Sequence, residues 1–132
     1  MTLSAQHTTR LQLRFHDADM LGIAHHTTVL HLCDSARLAW LASRQVEPFA
    51  LPIRNLEVRY GAALNVLKNP VVSVQSTFAI EPLHGGRVAV QSEHVITGLD
   101  GGTPFATVIT EYAANRDDVT KIQALIEAGT DA

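Results

Sequence analysis

The chain has 132 residues, 46% of them hydrophobic and 17% charged, with 10 basic against 13 acidic side chains and a formal net charge of −3. That length and balance give one domain with a core of its own and exclude a disordered chain. A mildly acidic chain with 5% aromatic residues offers nucleic acid neither an attractive field nor a stacking platform, and no run is long enough for membrane insertion.

Residues 1–8 are polar and expected to fray, without the apolar run of a signal peptide. From Arg10 to Phe15 the pattern alternates, with Leu11, Leu13 and Phe15 on one face and Arg10, Gln12 and Arg14 on the other. That is a half-buried strand. Asp17 to Gly22 breaks the alternation with turn-forming residues. From about Thr27 the period becomes helical. Val29, Leu32, Cys33, Ala36, Ala39, Trp40 and Ser43 recur at spacings of three and four. Leu30, Leu38 and Leu41 widen this stripe, so the helix is expected to be buried over much of its circumference. Thr27 or Thr28 is the expected N-cap, and the helix should end before Pro48, with a connection through Pro52. The lone cysteine, Cys33, precludes an intrachain disulfide and fits a reducing, cytoplasmic compartment.

The remainder reads as strand. Leu56, Val58 and Tyr60 alternate with Asn55, Glu57 and Arg59. Gly61 to Pro70 is a connection, with Pro70 at the start of the next strand or at an edge. Val71–Ile80, Arg87–Thr97 and Phe105–Ala114 form an antiparallel meander, joined by the turns Glu81–Gly86 and Gly98–Gly102. Asp117 or Asp118 is placed to cap a short helix through Glu127, ended by Gly129. One long apolar helix with only strands to cover it implies an α+β domain spanning residues 1–132. A curved antiparallel sheet of about five strands wraps that helix, which is the hot-dog arrangement. Its edge strand invites a two-fold dimer.

Between Phe15 and His26 lie two carboxylates, three of the seven histidines and a glycine. A carboxylate just ahead of a helix start faces the end where backbone N–H groups polarise a bound group, an arrangement suited to acyl transfer. Position alone favours Asp17 and Asp19 as turn or capping residues. A metal site finds little support, because His25 and His26 are adjacent and no HxxxH or HxxEH spacing occurs. Cys33 lies on the apolar stripe and reads as core. Gly85-Gly86 and Gly101-Gly102 read as hairpin turns rather than phosphate loops.

The run Phe-x-Asp-x-Asp-x-x-Gly-Ile-x-x-His after a strand, followed by a helix with Ala-Arg-x-x-Trp, resembles the 4-hydroxybenzoyl-CoA thioesterase family of hot-dog proteins. It is also similar to the acyl-CoA thioesterase branch associated with the Tol–Pal system, which has a histidine where His26 stands. The motif match covers residues 11–42, and strand order alone extends it. The resemblance implies hydrolysis of an acyl-CoA or acyl-carrier-protein thioester, without cofactor or metal, by a homodimer or homotetramer. Asp19 matches the catalytic carboxylate, acting as nucleophile or as general base. His26 matches the position whose backbone N–H polarises the thioester carbonyl, and its ring is a further candidate to place the water or the sulfur. Gly22 matches the motif glycine, and Val29 and Tyr60 are expected to line the acyl group.

The chain departs from that family at Val29, where tyrosine is frequent, and at Met20-Leu21, where smaller residues are usual. Asn69-Pro70 stands where Gly-Asp is common. These differences bear on the substrate more than on the reaction. Two other readings remain: a hot-dog protein that binds an acyl-CoA or acyl carrier without hydrolysis, and an acyl-CoA hydratase or dehydratase. The dehydratase stretches Asp-x-Asn-Pro-x-x-His and His-Phe-Pro-Gly do not occur.

Overall fold

The computed structural model describes residues 3–43, 53–82, 88–113, 120, 123, 124, 126 and 127. In chain order these form β1 (Leu3–Gln12), a single 3₁₀ turn (Phe15–Asp17), α1 (His26–Ser43), β2 (Ile53–Tyr60), β3 (Val71–Pro82), β4 (Val88–Gly98) and β5 (Gly101–Tyr112). The strands make one antiparallel sheet in the order β1-β3-β4-β5-β2, with α1 packed against it. The α+β hot-dog expectation is met, including the β3-β4-β5 meander.

The register puts alternate residues on the helix side. Val72, Val74, Ser76, Phe78 and Ile80 of β3 are buried, as are Val90, Ser92, His94 and Ile96 of β4 and Ala106, Val108, Thr110 and Tyr112 of β5. Two apolar clusters result. Val29, Leu32, Cys33 and Ala36 of α1 pack on Val72, Val74, Ile96, Ala106 and Val108. Trp40 and Leu41 pack on Phe78, Ile80 and Val90, the Trp40 and Phe78 rings stacking at 3.9 Å and 7°.

Between the clusters runs a buried polar layer. The His94 ring is bonded through Nδ1 to Ser76 Oγ (2.7 Å) and through Nε2 to Ser92 Oγ (3.0 Å), and Ser92 Oγ continues to the Tyr112 hydroxyl (2.7 Å). Both ring nitrogens are therefore satisfied inside the core, as burial of polar groups requires. Burial, with the Arg37 guanidinium adding to it, lowers the His94 pKa to about 4.

Several boundaries differ from expectation. Residues 3–8 are not frayed, because β1 pairs with β3 from Leu3↔Ile80 to Gln12↔Val71. Phe15 does not continue the core face and is 86% exposed. The Leu13 N–H donates to Pro70 O (2.8 Å), after which a tight turn closes, Asp17 N–H donating to Arg14 O and Arg14 N–H to Asp17 Oδ2. That turn swings Phe15 out. The helix is narrower in burial than expected, with Leu38 exposed and Leu41 fully covered. Pro70 immediately precedes β3. Ile126 belongs to the second cluster and lies among helical residues near the C-terminus. The connection Pro48–Pro52, the turn glycines Gly85 and Gly86, and the caps at Asp117, Asp118 and Gly129 lie outside the described residues.

Candidate active site

The loop between β1 and α1 is built by its own backbone. Asp19 N–H donates to Ile23 O (2.8 Å) and Gly22 N–H to Asp19 O (3.0 Å), closing a turn around Met20 and Leu21. Gly22 sits at φ +79°, a conformation that costs other L-residues energy. Within this turn the Asp19 carboxylate accepts two amides on one oxygen, Leu21 N–H at 2.8 Å and Ile23 N–H at 3.0 Å to Oδ1. The side chain is thereby aimed by its own loop.

A second segment clamps the turn. Ala24 N–H donates to Leu64 O and Val66 N–H to Gly22 O, both at 2.9 Å, and Ile23 bridges Asn65. Leu64 and Val66 are buried. Asn65 shapes its own chain by accepting Leu67 and Lys68 N–H on Oδ1. This clamp lies in what reads from sequence as a plain connection; the alternation of Leu64 and Val66 about Asn65 is the available signal.

The helix begins at His26, earlier than a cap at Thr27 or Thr28 would allow. The carbonyl of His25 receives the first helical amides, from Thr28 (3.1 Å) and Val29 (3.4 Å), while His25 N–H is held by Asp17 O (3.0 Å). Thr28 is not the cap; its buried hydroxyl donates to Asp17 O at 3.0 Å. As the first helical residue, His26 has an N–H without an acceptor inside the helix, at the positive end of the macrodipole.

At the far wall stands the end of β2. Gly61 N–H bonds Phe105 O and Ala62 N–H bonds Pro104 O, extending the β2–β5 pairing past Tyr60↔Ala106. A side chain at Gly61 would collide with the Pro104 carbonyl, so glycine permits this close approach. The Tyr60 hydroxyl lies 2.6 Å from His26 Nδ1, the two rings meeting edge to face at 5.1 Å between centroids.

Asp19, His26, Val29 and Tyr60 line one cavity of about 290 Å³, together with Phe105 and the 61–64 backbone. Gly22 is not in its wall but shapes the loop that carries Asp19. Met20 and Leu21 are exposed and stand outside the cavity lining. The histidine-rich stretch is divided. His25 and His26 face this cavity, whereas His16, Asp17 and His31 line a separate polar one. Among the described residues no three His, Cys, Asp or Glu side chains are grouped to hold a metal. Cys33 is buried, and burial, reinforced by the Asp34 carboxylate, pushes its thiol up to about 12, so it stays protonated at neutral pH. No helix among the described residues is long and apolar enough to cross a membrane.

No family model matches the sequence, and no curated protein matches it. Solved structures do. A hypothetical protein from Thermus thermophilus superposes with a TM-score of 0.71 at 18% identity, covering 91% of this chain and 97% of its own. A 1,4-dihydroxy-2-naphthoyl-CoA thioesterase from Synechocystis gives 0.64 at 15%, covering 96% of each chain. The 4-hydroxybenzoyl-CoA thioesterase from Pseudomonas gives 0.61 at 12%, covering 89% of this chain and 99% of its own. At such identities the likeness is one of architecture, and it agrees with the topology described above: the chain has the hot-dog fold.

Proposed function

We propose that the chain is a thioesterase that hydrolyses an acyl-CoA or acyl-carrier-protein thioester to the free acid and thiol. The observation that carries this reading is the shared cavity, in which an aimed carboxylate, Asp19, faces the same space as the start of α1 at His26. Thioester hydrolysis needs those two elements, a nucleophile or base and a donor for the carbonyl oxygen. In this account the carbonyl oxygen accepts the His26 N–H at the helix N-terminus. Asp19 either attacks the carbonyl carbon and expels the thiolate, leaving a mixed anhydride that water then cleaves to the acid, or takes the proton of a water that attacks and expels the thiolate. In both routes the proton lost by water ends on the thiolate. Val29, Phe105 and Tyr60 supply the wall against which the acyl group lies.

Two of the similar structures are a 1,4-dihydroxy-2-naphthoyl-CoA thioesterase and a 4-hydroxybenzoyl-CoA thioesterase, which supports trying CoA esters of aromatic acids first. Met20 and Leu21 are exposed and take no part in the cavity lining, so neither side chain fills the space that Asp19 faces. A second copy joined along β2 completes the account. That edge strand carries Ile53, Leu56 and Tyr60 at 47%, 38% and 54% exposure, an apolar edge of the kind proteins cover. Free-thiol release by wild type and Asp19→Asn tests the reaction.

A further inference from the structure

The proposed chemistry uses the backbone of His26 and leaves its ring without a task, yet the ring is held. Its Nδ1 meets the Tyr60 hydroxyl at 2.6 Å, a short contact for a neutral pair. The phenol is anchored independently of the helix, since Tyr60 pairs with Ala106 and the next two residues stay bonded to β5. Both rings face the cavity.

We propose that Tyr60 is a positioning residue that fixes the tautomer of the His26 imidazole. Of the two neutral groups the phenol is the stronger acid, so its O–H donates and Nδ1 accepts. The ring proton then resides on Nε2, because the bond made by one nitrogen sets the state of the other. A neutral imidazole so held presents Nε2–H as a donor to the negative charge that develops on the thioester as it is attacked. Tyr60 touches no reacting atom in this scheme and acts through His26. No proton is transferred by the pair. The inference rests on the hydrolytic reading above and adds to it a second donor beside the His26 amide.

The scheme has a consequence that packing alone does not. An imidazolium carries N–H on both nitrogens and needs no partner to present Nε2–H. Removing the Tyr60 hydroxyl should therefore matter when His26 is neutral and cease to matter when it is protonated. Among the described residues the other titratable groups facing the cavity are Asp19 and His25, both on the preceding loop. They are common to both proteins, so dividing the rate of the variant by that of wild type at each pH removes their own titration.

The test is Tyr60→Phe, which retains the ring that meets His26 edge to face and deletes only the hydroxyl. The kcat for thiol release should fall about tenfold at alkaline pH, the loss of one donor to developing charge, and the deficit should shrink as the pH is lowered. Histidine ¹⁵N spectra of the same two proteins with the rings neutral, assigned by the resonance missing from His26→Gln, should show Nε2 protonated in wild type and a mixture in Tyr60→Phe. A rate ratio that does not change with pH, or a wild-type ring protonated on Nδ1, overturns this inference while leaving the thioesterase reading intact. Wild type that releases no thiol from acyl-CoA or acyl-carrier thioesters overturns both.

Discussion

Thr28, buried in the first turn of α1, donates its hydroxyl hydrogen to the carbonyl of Asp17 at 3.0 Å, on the carbonyl that also receives His25 N–H. The helix start and the Asp19 loop are thus fastened at a single oxygen. Replacing Thr28 by valine keeps the branched shape and deletes the bond. Thr28→Val should cost about 1 kcal/mol, lowering the melting temperature by about 4 °C, and should lower kcat several-fold as the loop loosens. Thermal unfolding and thiol release measure the two effects separately.

Gly22 offers a complementary case. A Cβ there would find nothing nearer than Asn65 Nδ2 at 4.0 Å, so space is not the constraint. The positive φ is, and Gly22→Ala should lose about 1 kcal/mol through the backbone alone. Denaturant unfolding should show a lower midpoint with an unchanged slope.

The buried histidine predicts an acid sensitivity. His94 is held at about 4 in the fold against about 6.5 when unfolded. Between those values the unfolded chain binds the extra proton, so stability rises with pH across the window. The contribution is full above about 6.5 and is lost as pH falls toward about 4, amounting to roughly 3 kcal/mol. Unfolding free energy measured from neutral to acid pH should show this fall, and His94→Gln should flatten it.

Association along β2 predicts that the protein sediments at a multiple of the monomer mass. Leu56→Asp, on the helix-side face of that edge, should shift it toward monomer without unfolding it. Wild type that sediments as a monomer at assay concentrations would remove the edge-to-edge arrangement.

Much of this fold was legible from period alone. Leu56, Val58 and Tyr60 alternate because β2 presents one face toward the helix side, and Val29 to Trp40 repeat because α1 spans both apolar clusters. What period does not reveal depends on partners distant in sequence. Ser4, Gln6 and Thr8 look like a frayed end until β3 pairs with them. Ser76, Ser92 and His94 carry no apolar signal, and only the register that stacks Ser76 opposite His94 makes them a buried layer. The candidate site followed the same division. Asp19, Gly22 and His26 lie close in the chain and are legible together, whereas the sequence marks Tyr60 only as a wall residue. The Leu64–Val66 clamp and the Tyr60–His26 bond required the fold.

Asp19→Asn separates catalysis by this carboxylate from its part in shaping the loop. Asparagine retains an Oδ1 able to accept Leu21 and Ile23 N–H, so the loop should persist and the melting temperature should stay near that of wild type. Thiol release from aromatic, short and long acyl-CoA esters should fall by roughly a hundredfold or more in the variant. Equal rates in the two folded proteins would contradict the assignment of Asp19 and with it the proposed mechanism.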